Sequence, residues 1–186
     1  MNYGVLDVET TTKNKGSPFT KSNKLCLVGL LDQDGYHEWY IEYDAEPFGE
    51  KLQEIKARIE ALDLLIGFNL KFDLNWIRRY IPDVSFPRVY CCQLADFILH
   101  AQKYPFASLN EVSARNGLGT KLDVIDAEYW SHGIDTTAVP KDVLSAYTEQ
   151  DVRLTWENFN AQKDKLQGNL KRNFWLDCQD LLVLHD

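Results

Sequence analysis

YGVLDVET, residues 3–10, decides the fold. Apolar and β-branched residues predict a strand over residues 2–9, too apolar to lie anywhere but inside a sheet. Side chains alternate across a strand, so Tyr3, Val5, Asp7 and Glu9 share one face. Two carboxylates therefore point the same way at the end of a strand that reads as central. An isolated buried carboxylate costs several kcal/mol unless it is paired or bound to a metal. A single acid at a strand end is most often solvated or capping, so the rest of the chain must decide.

Downstream, a polar connector (TTKNKGSPFTKSNK, residues 11–24) leads to a second strand over 25–31, a turn at Gln33-Asp34-Gly35 and a third strand over 36–42. Helical spacing runs from Pro47 to Leu62, with Pro near the first turn. LLIGFN is a short buried strand turning at Gly67, and residues 70–81 form a helix that stops before Pro82. Segments 92–101 and 108–116 read as helices, the second opened by a capping box of Ser108 and Glu111. Residues 119–139 read as irregular, a long helix runs from Pro140 to about 166, and 168–186 is an amphipathic helix. Three strands and then alternating helices and strands imply one α/β domain over residues 1–186: a ribonuclease-H-like mixed sheet with helices on both faces.

Two more acids interrupt apolar stripes. In 70–81 the stripe is Leu70, Asp73, Leu74, Ile77 and Ile81, with Asn69 one turn before Asp73; in the long helix it is Val143, Leu144, Tyr147, Asp151 and Leu154. An Asp near a helix start is commonly a cap, and a Tyr four residues before an Asp is commonly core packing. All three pairs at the ends of their elements are harder to explain so. No Lys or Arg lies on these stripes, and divalent cations would relieve the repulsion.

Composition narrows the chemistry. The chain is 45% apolar and 26% charged, an ordinary globular composition. No run approaches the ~20 apolar residues of a membrane span and no leader opens the chain, so a cytoplasmic protein with no membrane partner is expected. Cys26, Cys91, Cys92 and Cys178 lack C-x-x-C spacing and read as reduced thiols, and the four histidines are scattered. Zinc is disfavoured, and an oxygen-bound Mg²⁺ or Mn²⁺ is expected. A net charge of −8 argues against a high-affinity nucleic-acid binder, less so against an enzyme whose acids recruit cations. Against that acidity, residues 11–24 carry Lys13, Lys15, Lys21 and Lys24 and no acid. They read either as a guide for a strand's phosphates or as a solvated connector.

Together the pairs resemble the DEDD exonuclease superfamily, in its DEDDy branch, and specifically the proofreading domain of family A DNA polymerases. The D-x-E motif is Asp7-Val8-Glu9 followed by Thr10, the N-x-x-x-D motif is Asn69 to Asp73 in GFNLKFD, and the Y-x-x-x-D motif is Tyr147 to Asp151. CCQLADFILH and FASLNEV resemble the family's intervening helices, and the resemblance spans essentially the whole chain. The gap between Asn69 and Asp73 favours family A over family B.

The resemblance implies a 3′→5′ exonuclease that hydrolyses the 3′-terminal phosphodiester of DNA, prefers single-stranded or frayed ends and releases 5′-mononucleotides. It implies two Mg²⁺ or Mn²⁺ ions: Asp7, Glu9 and Asp151 on one, Asp7 bridging to the second, and Asp73 reaching that ion directly or through water. Tyr147 would orient the attacking water, Asn69 would fix the 3′-terminal nucleotide, and the backbone near Thr10 and the ring of Phe106 would contact the last bases. It further implies a polymerase module in the same or a partner chain, with residues 168–186 as the start of the connection; the apolar residues of 174–184 suit a docking face. Two other readings stay open: an RNA 3′-exonuclease of the ribonuclease D kind, in which an aromatic often follows D-x-E where Thr10-Thr11 stands here, and a degenerate nucleic-acid-binding module.

Overall fold

The computed structural model describes residues 2–105, 107–121 and 123–182. Its sheet has five strands: β1 (Tyr3–Thr10), β2 (Leu25–Asp32), β3 (Gly35–Tyr40), β4 (Leu64–Gly67) and β5 (Arg88–Cys91), in the order β3-β2-β1-β4-β5. The strand that opens the chain is the middle one, which is why both its faces are apolar: Val5, Leu6 and Val8 are buried. β1 runs antiparallel to β2, with Asp7 opposite Gly29, and parallel to β4, with Val5 opposite Ile66. β2–β3 is antiparallel and β4–β5 parallel.

Among the described residues seven α-helices flank the sheet: α1 (Gly49–Glu60), α2 (Leu70–Tyr80), α3 (Cys92–Leu99), α4 (Leu109–Arg115), α5 (Val124–Glu128), α6 (Lys141–Gln162) and α7 (Gly168–Asp180). α6 crosses the face that carries Tyr3, whose ring lies 6.0 Å from Trp156 and 5.8 Å from Phe159. Its close approach depends on Gly29, where a Cβ would stand 2.7 Å from Thr148 Cγ2. α2 packs on β1 and β4, with Phe72 beside Gly16 and Thr10, so the mixed sheet is covered by helices as the sequence predicts.

Differences from the sequence reading have local causes. β5 is absent from that reading because four residues after Pro87 carry too short a signal. The helix expected over 92–101 ends at Leu99, because Ala101 and Gln102 take left-handed φ of 52° and 64°. The segment 119–139, read as irregular, contains α5 and two short 3₁₀ turns. The capping box of α4 forms: Ser108 Oγ accepts from Glu111 N at 3.3 Å, and Ser108 N donates to Glu111 Oε2 at 2.7 Å. In α7, Phe174 is buried against Tyr90, ring centroids 4.6 Å apart, while Leu170 and Leu176 are exposed; positions 183 and 184 of the expected docking stripe lie outside the described residues. The four cysteines are free and buried. Among the described residues no helix is long and apolar enough to cross a membrane.

Candidate active site

β1 and α6 bring the acids together. Asp7, Glu9 and Asp151 place carboxylate oxygens within 4.8 Å of one another. Strand alternation puts Asp7 and Glu9 on one face. Gly29, opposite Asp7, then lets α6 lie close enough for Asp151 to reach them. Thr148 Oγ1 donates to Leu144 O (2.9 Å) and more loosely to Glu9 Oε1 (3.4 Å). Asp7 is half-buried, Glu9 and Asp151 buried. Asp73, in the first turn of α2, is also buried and feels the charge of Asp7, though it stands outside that tight group.

Their electrostatics follow from this crowding. Burial, then the charge of Asp151, pushes the Asp7 carboxyl up to about 8, with Lys121 pulling it down. Burial raises Glu9 well above the usual carboxylate range, and Asp7 and Asp151 raise it further. Burial and Asp7 do the same to Asp73, and backbone hydrogen bonds from Asp73 itself and Val8 offset part of the rise. Asp151 rises to about 6 through burial, moderated by Lys121. The side-chain oxygens Asp73 Oδ2 and Asp151 Oδ1 are buried with no hydrogen-bond partner. An all-carboxylate set with orphaned buried oxygens fits a hard divalent cation such as Mg²⁺ or Mn²⁺.

Lys121 belongs to this site and the sequence reading missed it. Its Nζ donates to Asp151 Oδ2 (2.6 Å) and to Tyr147 OH (2.5 Å), and lies 3.9 Å from the centre of the Tyr147 ring. Only its position just after Gly-Leu-Gly-Thr could have marked it; it lies on neither apolar stripe, and the segment has no periodicity to aim it. The protein therefore supplies one cation to the cluster, where the stripes alone suggested none. Tyr147 also stands edge-on to Trp130, ring centroids 5.9 Å apart, and donates a long 3.5 Å bond to Asp123. Burial, and then Glu9 and Asp151, raise its hydroxyl far above the ordinary range, so it stays protonated.

The expected nucleotide contacts are dispersed. A cavity of about 270 Å³ is lined by Glu9, Thr10, Thr12, Lys15, Phe72 and Trp130, among others. The carbonyl of Thr10 is engaged already, accepting from Thr136 Oγ1 at 2.6 Å. Asn69 caps α2 in the left-handed region (φ 51°) with its side chain exposed, at the mouth of a different, largely apolar cavity of about 320 Å³ that includes Leu94, Phe97 and Leu181. Phe106 lies outside the described residues.

No family model matches the chain, and no curated protein does. Solved structures match well. Brucella melitensis NrnC with bound Mg²⁺ is 15% identical, with a TM-score of 0.70 over 96% of this chain and 81% of that one. The Aedes aegypti Nibbler EXO domain is 16% identical, with a TM-score of 0.58 over 97% and 86%. The family B DNA polymerase of Pyrobaculum calidifontis is 13% identical, with a TM-score of 0.62 over 86% of this chain and 24% of that one. This chain has their fold. That fold is ribonuclease-H-like, and these matches do not single out family A.

Proposed function

We propose that the chain is a metal-dependent 3′→5′ exonuclease of the DEDDy type, acting on single-stranded or frayed nucleic-acid ends. The observation that carries the reading is the Asp7–Glu9–Asp151 cluster, with oxygens within 4.8 Å of one another and Asp73 beside it, at the end of a central strand. A further NrnC structure is bound to pGG, at 15% identity to this chain and a TM-score of 0.68; that ligand supports a nucleic-acid substrate here.

In this reading Asp7, Glu9, Asp151 and Asp73 would hold two ions. Such ions would lower the pKa of a water and neutralise charge on the phosphate. The protonated Tyr147 hydroxyl orients the attacking water through hydrogen bonding, without acting as its base. The cavity beside Glu9 and Thr10 takes the terminal nucleotide, with Phe72 and Trp130 offering ring faces to a base. Because the site lies among buried acids, an unpaired end enters more readily than a paired one.

DNA as substrate and a proofreading role are the finer version of this proposal. They are supported by the spacing of Asn69 and Asp73 and by Thr10-Thr11 after D-x-E. RNA is the second reading, supported by the Y-x-x-x-D motif set that ribonuclease D-like enzymes share. Matched 3′- and 5′-labelled DNA and RNA oligonucleotides, digested with Mg²⁺, with Mn²⁺ and with EDTA, test all of this. The expected outcome is metal-dependent shortening from the 3′ end with release of 5′-mononucleotides, faster on DNA. Digestion that persists in EDTA, or is blocked by 5′ modification, overturns the exonuclease; faster RNA digestion overturns the DNA assignment alone.

A further inference from the structure

The connector between β1 and β2 is built, not slack. Arg79, on the last turn of α2, donates to the carbonyls of Pro18 (2.8 Å), Thr20 (3.2 Å) and Lys21 (3.2 Å). The buried Trp76 indole donates to Gly16 O (2.9 Å). Asn23, 1% exposed, donates from one amide to Lys13 O (2.7 Å) and Ser17 O (3.0 Å). Asn14, Lys15 and Gly16 stand in a row in the left-handed region, at φ of 49°, 57° and 70°. Two of these are not glycine, a conformation that persists only where surroundings enforce it. At Gly16 a Cβ would stand 2.5 Å from Thr10 Oγ1, so the loop is seated directly on the end of the catalytic strand.

What this frame holds outward is specific. Lys13, Lys15, Lys21 and Lys24 are all exposed, and none enters an ion pair among the described residues. The carboxylate of Asp135 touches the backbone at Thr12 N (3.3 Å) and is otherwise engaged by Thr136 N (2.7 Å). Phe19 is 81% exposed, the most exposed large apolar side chain described. One exposed ring is unremarkable by itself. A ring held among four unpaired lysines, on an acid-free segment of a protein of net charge −8, matches what single-stranded nucleic acid requires: cations for phosphates and a face for a base. Lys15 and Gly16 line the same cavity as Glu9 and Thr10, so the surface is continuous with the catalytic carboxylates.

We propose that residues 12–24 form a preformed track for the strand upstream of its 3′ end, with Lys13, Lys15, Lys21 and Lys24 against the phosphates and Phe19 beneath a base. The proposal rests on the exonuclease reading and sharpens it: the preferred substrate is a strand of several nucleotides, not a dinucleotide. Because the loop is already shaped, binding forgoes the ordering cost that a slack lysine loop would incur.

The test compares the full chain with Phe19→Ala and with the combined Lys13→Gln/Lys21→Gln/Lys24→Gln variant, which leaves Lys15 in the nucleotide cavity untouched. Fluorescence anisotropy of a labelled single-stranded oligonucleotide of about ten nucleotides, with Ca²⁺ in place of Mg²⁺, reads binding; hydrolysis of a dinucleotide in Mg²⁺ reads the catalytic centre. Phe19→Ala should weaken oligonucleotide binding about tenfold, the scale of one lost base stack. The lysine variant should lower the slope of log affinity against log salt by about two, since each single-strand phosphate contact contributes about 0.7. Dinucleotide turnover should stay within about twofold of the parent, a difference of well under 1 kcal/mol. Unchanged oligonucleotide affinity and salt slope, or dinucleotide turnover falling as far as oligonucleotide binding, overturns the track. A parent chain that hydrolyses neither substrate overturns the exonuclease reading and the track with it.

Discussion

Asp96 and Asp151 are both carboxylates buried on helices, and the protein treats them in opposite ways. Asp96, on α3, is gripped by Arg115 through Nε to Oδ1 (3.2 Å) and Nη2 to Oδ2 (2.5 Å), with His100 Nδ1 3.2 Å from Oδ1. Both of its oxygens are satisfied. Asp151 receives Lys121 on Oδ2 alone, its Oδ1 has no partner, and it shares its space with Asp7 and Glu9. Burial of an acid therefore does not mark a functional site. On the proposed reading, burial that the protein itself leaves uncompensated does, because the balancing charge would come from outside.

Removing charge should act oppositely at the two places. Asp7→Ala/Glu9→Ala should reduce hydrolysis by about 10⁴-fold or more while leaving the metal-free protein no less stable, as read by turnover and urea denaturation. Arg115→Met strands the Asp96 carboxylate and should cost about 3–5 kcal/mol of stability, read by the same denaturation. If the Arg115 variant is as stable as the parent, the contrast collapses. Tyr147→Phe removes a hydroxyl but no charge, so the rate should fall roughly 10²-fold with the metal-titration midpoint unmoved. A midpoint shifted as far as in Asp151→Asn would make Tyr147 part of the metal's hold.

The two sites show how far the sequence could be read. The acids were legible because strand and helix periodicities are local: Asp7 and Glu9 two apart, Asp73 and Asp151 inside apolar stripes. The middle position of β1 followed from its two-sided hydrophobicity. Lys121 was not legible, since a loop residue reaches Tyr147 only through the folding of 119–139, whose path no periodicity encodes. The exposure of Asn69 was missed for a related reason. Helical spacing would place it above Asp73, but its left-handed backbone puts it outside the helix. Nor did residue type distinguish Asp96, whose partner Arg115 lies on another helix.

Acidity offers a finer test. With Asp7 held at about 8 and Asp151 at about 6, against about 3.9 in the unfolded chain, the folded protein retains protons that the unfolded chain releases. Stability of the metal-free protein should therefore fall as pH rises from about 4 to about 8, and saturating Mn²⁺ should reverse much of the fall. A metal-free urea midpoint that climbs across that range contradicts it. The smallest effect concerns Lys121, which occupies one oxygen that an ion would use. Lys121→Met should tighten Mn²⁺ binding about tenfold, the scale of a mostly buried charge-assisted hydrogen bond. Weaker binding would make the lysine a helper of the metal and not its competitor.

The most direct measurement counts ions. Electron paramagnetic resonance of free Mn²⁺, titrated against the full chain at about pH 8, should show two ions taken up per chain, with uptake sharply reduced in Asp7→Asn and unaffected in Phe19→Ala. If the parent takes up no Mn²⁺, or Asp7→Asn takes up as much as the parent, the cluster is not a metal centre and the account fails.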